Sequence, residues 1–234
     1  ELFRVLPGES VAYFGDTESA RFSAPYFRAF LQYLAEQTDV ERIHILGYSA
    51  GTRLVAASLD QLALINHDRT DDELQRLRLG NVILVASDID RGIFGGYLLD
   101  GILRLPDRLT LYTSTKDKAL GMARFAFSRG RIGQYNPAEL SAPTRESLHH
   151  VGALTIINVS EAEDFDSGNG HSYFRDSPEV SSDVLATLLY DLPPAERGLV
   201  QDPDSLIWGF PPDYLTKLFA AVSTAASNLG QSSR

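Results

Sequence analysis

Residues 81–86 read Asn-Val-Ile-Leu-Val-Ala. A β-rich run without polar alternates cannot leave either face in water. It predicts a strand covered on both sides, and a chain built around such a strand is committed to a layered fold. The neighbouring segments supply the layers. Short β-rich runs recur at 42–46, 108–114 and 153–160. Helix-length patterns stand among them. Residues 24–37 carry a stripe of Tyr26, Phe27, Phe30, Leu31 and Leu34, and 50–65 turn Leu54, Val55, Leu59 and Leu62 inward. Residues 118–128 are also helical in pattern, and 178–192 open on Pro178, where proline is tolerated. Residues 92–105 read as a broken helix, and 128–144 as a long Gly/Pro/Ser-rich loop. Strands alternating with helix-sized segments predict an α/β fold with a mainly parallel sheet and helices on both faces. The domain is expected over 1–192. Residues 193–234 are expected as an extension packed on it, with a frayed end.

Composition narrows the partners. The 234 residues suffice for a substantial core. A formal net charge of -10 argues against nucleic acid and anionic membrane surfaces. There is no cysteine, hence no disulfide, thiolate metal site or cysteine nucleophile. No apolar run approaches the ~20 residues of a membrane span. No signal peptide is visible, so the compartment stays open.

In parallel sheets ligands bind beyond the carboxyl ends of the strands. Four polar stretches follow a strand there: Gly47-Tyr48-Ser49-Ala50-Gly51, the run 87–90 with Asp88 and Asp90, the run 114–117 ending in Asp117, and 161–171 ending in His171. The first sits between a strand and a helix. Glycines at 47 and 51 would remove Cβ atoms where the two elements crowd together, leaving the Ser49 hydroxyl exposed at the turn. The helix N-terminus would offer the Ala50 N–H to an oxyanion. The alternative is a packing corner at which Ser49 caps the helix.

A serine nucleophile needs a base. Of the five histidines, His44 lies within a strand, His67 follows a helix, and His149 and His150 precede the last strand. His171 alone follows a strand at its carboxyl end. The acid that would hold the imidazole tautomer is Asp117 by first choice, with Asp88 or Asp90 as rivals and Asp164 or Asp166 behind them. Asp117 also fits a helix N-cap. No His/Asp/Glu cluster has metal-ligand spacing, and no phosphate-binding glycine loop is present, so neither metal nor cofactor is expected. Residues 121–147 could form a lid or pocket wall, where Arg124, Arg129 and Arg131 could receive an anionic part of a substrate, or form a solvated basic face.

These stretches in this order, with the Ser-Asp-Ile-Asp run at 87–90 and Gly170-His171-Ser172-Tyr173-Phe174, resemble the alpha/beta-hydrolase superfamily. The closest branch is its bacterial esterase/lipase-like group of unknown function. The resemblance spans about residues 10–192. It implies Ser49 as nucleophile, Asp117 as acid and His171 as base, acting on a small-molecule or lipid ester. It keeps Asp88 in play, since that run is characteristic of the group. It also implies earlier strands, one ending in a His-Gly type loop that gives the second oxyanion N–H. No such strand precedes residue 10, so a missing N-terminal half is expected, in the same or another chain, beside an open apolar edge at 42–46. A non-catalytic binding member of the fold and an acyltransferase are the other classes left open.

Overall fold

The computed structural model describes residues 8–117, 130–134, 153–162, 171–202 and 207–232, with side chains from 18 to 228. The helix expected over 118–128, Asp164 and Asp166 lie outside these residues, as does most of the 128–144 loop.

The described elements run α1 (Gly8–Gln37), β1 (Ile43–Tyr48), α2 (Gly51–Ile65), α3 (Asp71–Leu74), β2 (Leu79–Val85) and α4 (Arg91–Leu99). They continue with β3 (Arg108–Thr113), β4 (Leu154–Asn158), α5 (Tyr173–Asp176), α6 (Pro178–Tyr190), β5 (Val200–Gln201), β6 (Trp208–Gly209) and α7 (Tyr214–Ser232). The six strands order β1-β2-β3-β4-β6-β5, all parallel except the β5–β6 pair.

All seven residues of β2 are buried. Val82 and Leu84 join one apolar cluster with α1, α2 and α4, and Ile83 and Val85 join the other with α6 and α7. The continuous apolar run thus means what it predicts, a central strand with a helical layer on each face. The second layer is tied by a buried polar knot. Asp183 of α6 accepts from Arg197 Nε at 2.5 Å, from Tyr112 Oη at 2.6 Å and from Tyr214 Oη at 2.5 Å. Burial, then the Asp183 charge, pushes the Tyr112 phenol well above its ordinary range, so it stays a donor.

Two features depart from expectation. Helix α1 begins well before residue 24 and runs through Pro25. The extension after residue 192 does more than pack on the domain, because β5 and β6 extend the sheet beyond β4. Its last described element, α7, is helical to Ser232. Tyr214, Leu218 and Val222 give α7 an apolar stripe at helical spacing, and its alanines favour helix.

The strand ends are in register. Tyr48 pairs with Val85, Val85 with Tyr112, and Thr113 with Asn158. The segments after β1, β2, β3 and β4 therefore leave the sheet together, at the carboxyl ends of its strands. Among the described residues β1 pairs with β2 alone. Near that margin α1 exposes Phe22, Tyr26, Phe30 and Tyr33, and β1 exposes Leu46.

Candidate active site

Ser49 stands at the first step out of β1, with φ +52°. A non-glycine residue rarely adopts this left-handed conformation. It is held there by Ser49 N–H donating to Val85 O at 3.0 Å and by Thr52, whose N–H and hydroxyl donate to Ser49 O at 3.0 and 2.6 Å. The turn explains Gly47. A Cβ there would lie 3.2 Å from both Thr52 Cα and Val55 Cγ2 and 3.3 Å from Leu84 Cδ2. Gly51 is different, since a Cβ there would meet nothing within 4 Å. Crowding accounts for one glycine of the pair, not both.

The Ser49 side chain does not cap α2, whose N-terminus has no side-chain cap. Ser49 Oγ instead lies 2.8 Å from His171 Nε2, and the other ring nitrogen, Nδ1, lies 2.8 Å from Asp117 Oδ2. Asp117 is buried and the His171 side chain is 15% exposed. The ring nitrogens have fixed jobs in this arrangement. Nδ1–H donates to the carboxylate, which leaves Nε2 as acceptor for the serine O–H. Within α2 the first N–H groups used in the turn are Thr52 and Arg53. The preceding Ala50 and Gly51 N–H groups come before the first intrahelical bond, as at any helix start.

Tyr48 backs the histidine. Its ring is 5.3 Å from the imidazole and 4.7 Å from the Phe174 ring, with the Arg175 guanidinium over both aromatic rings. Tyr48 Oη also donates to His171 O at 3.4 Å. Two residues further, the fully buried Tyr173 anchors the histidine loop under the sheet edge. Its hydroxyl accepts from Ala86 N–H at 2.7 Å and donates to Tyr112 O at 3.0 Å. Sequence reasoning missed Tyr173. Its place in the Gly-His-Ser-Tyr run was visible, but the partners are 87 and 61 residues away.

The rival carboxylates have other work. Asp90 caps α4, accepting from Gly92 N–H at 2.8 Å and Ile93 N–H at 3.3 Å. Asp88 is buried and ion-paired with Arg53 of α2 at 2.5 Å and with Arg131 at 3.3 Å. Arg131, expected on a solvated basic face or as an anion receiver, is itself buried in that pair. Arg124 and Arg129 lie outside the described residues. Among the described residues no group of three or more His, Asp or Glu could hold a metal ion. No described helix is long and apolar enough to cross a membrane.

A family model described as alpha/beta hydrolase of unknown function (DUF900) matches residues 7–189. The chain belongs to this family. No curated protein and no solved structure matches the chain significantly. The DUF900 match takes in the segments that carry Ser49, Asp88, Asp117 and His171. It ends at the last turn of α6, so β5, β6 and α7 lie beyond it.

Proposed function

We propose that this chain is a serine hydrolase of esterase/lipase-like type, with Ser49 as nucleophile, His171 as general base and Asp117 as the orienting acid. The observation that carries the reading is the imidazole held at 2.8 Å from both the serine oxygen and the aspartate carboxylate.

The reaction is acyl transfer to water. Ser49 Oγ attacks the ester carbonyl while His171 Nε2 takes its proton, and Asp117 stabilises the imidazolium. The carbonyl oxygen, now negative, is received by the Ala50 N–H at the start of α2. His171 then gives its proton to the alkoxide of the leaving alcohol, and the acyl group stays on Ser49. Water, deprotonated by the same nitrogen, releases the acid and restores the serine. By the family resemblance a second oxyanion N–H comes from a segment on the open side of β1. One such donor is worth about 10²–10³ in turnover. The substrate on this reading is a small-molecule or lipid ester.

Labelling with a fluorophosphonate probe tests the proposal. The expected result is labelling of the full polypeptide, lost in both Ser49→Ala and His171→Ala. Labelling that survives Ser49→Ala would refute the assignment. An unlabelled full polypeptide would turn the reading to a binding member of the same fold.

A further inference from the structure

Asp88, Arg53 and Arg131 form a charged cluster that the reaction itself does not use. Their side chains are 7%, 13% and 8% exposed. Ion pairs buried this far repay little stability relative to apolar packing, because both charges lose their water. What the cluster does supply is a link between two fixed places.

One end is the nucleophile's helix. Arg53 lies one turn after Ser49 and grips the 87–90 run twice, through Nη2 to the Asp88 carboxylate and through Nε to Asp88 O at 3.3 Å. The other end is the short segment 130–134. Arg131 pairs with the second Asp88 oxygen, and the backbone around it is stitched to the same run. Ile132 N–H donates to Ile89 O and Gly133 N–H to Ser87 O, both at 3.0 Å. The segment then holds the loop that bears the acid. Ser114 N–H donates to Gly133 O at 2.8 Å, and Gln134 Nε2 donates to Asp117 O at 2.6 Å. A parallel link runs from Ser87 Oγ to Thr52 Oγ1 at 3.0 Å, and from that hydroxyl to Ser49 O.

We infer that Asp88 is a positioning residue: bridging Arg53 and Arg131, it fixes the distance between the Ser49 helix and the Asp117 loop so that one imidazole spans both. The inference rests on the serine-hydrolase reading. It also gives a physical role to an aspartate that sequence alone left as a rival acid.

Asp88→Asn keeps the shape and removes the charge that holds the two guanidinium groups together. Asp117 is then free to drift from His171, and a misplacement of this kind costs about 10- to 100-fold in rate. The test is the second-order rate of Ser49 labelling by a neutral fluorophosphonate, from pH 5 to 9, with thermal midpoints in parallel. The expected result for Asp88→Asn is a fall of that size, with the pH profile displaced in the same direction as in Asp117→Asn. The double variant should be no slower than Asp117→Asn alone, because one acts through the other. Arg131→Met, which keeps the Arg53–Asp88 pair, should show the same shift and guards against a misfolded Asp88 variant.

A lower midpoint with an unchanged profile in both variants would overturn the inference, as would rate losses that multiply in the double variant. A wild-type protein that is not labelled at all overturns the hydrolase reading, and this inference with it. Labelled wild type with unaffected variants overturns the inference alone.

Discussion

Ser49 shows what one residue must satisfy at this corner. Its left-handed φ of +52° suits glycine, yet the proposed chemistry needs a hydroxyl. The strain is accepted where Val85 O and Thr52 hold the turn. The flanking glycines were equal in the sequence, and the structure separates them. Gly47→Ala drives a Cβ into Thr52 Cα and Val55, and backbone or packing must move at a cost of about 1–3 kcal/mol. Gly51→Ala enters open space at a helix start, and is expected within about 0.5 kcal/mol of wild type or slightly more stable. Urea denaturation of the two variants checks this, and equal losses would remove the distinction. Ser49, Asp117 and His171 could each be singled out because each follows a strand at its carboxyl end. Tyr173, Arg53 and Arg131 were not, because their meaning lies in partners 35 to 87 residues distant.

Among elements, legibility followed the strength of local pattern. β2 could be read at once because burial on both faces leaves no polar residue in the run after Asn81. The broken helix at 92–105 is also there, as α4 followed by Gly101 at φ +91° and a short 3₁₀ turn. The first turns of α1 escaped because residues 10–23 carry no clean apolar stripe. β5 and β6 escaped because strands of two residues have no period to detect. Besides the β4–β6 pairing, that late region is held by the Asp183 knot, which joins α6, β3, α7 and the loop at Arg197. Arg197→Met leaves a buried carboxylate with phenol donors only. The expected loss is about 3–5 kcal/mol in urea denaturation. A loss below about 1 kcal/mol would mean that the tyrosines alone carry the aspartate.

The whole molecule is lopsided. Beyond β4 the sheet continues into the short antiparallel pair of β6 and β5, whereas among the described residues β1 pairs with β2 alone. Phe22 and Tyr26 beside it are 73% and 68% exposed. Edges of this kind invite pairing with another chain. Sedimentation of these 234 residues alone should therefore show species heavier than the 25.8 kDa monomer. Leu46→Lys with Phe30→Glu should shift the distribution toward the monomer. A wild-type chain that sediments as a monomer at all concentrations would show that the margin is inert. The open margin also changes what a melting temperature means for this protein. Whatever occupies it in the folded state and ignores the unfolded chain adds stability as RT ln(1 + [L]/Kd), about 2.7 kcal/mol at a hundredfold excess over Kd. A melting curve is then a titration, and the midpoint reads out how much of the margin is filled.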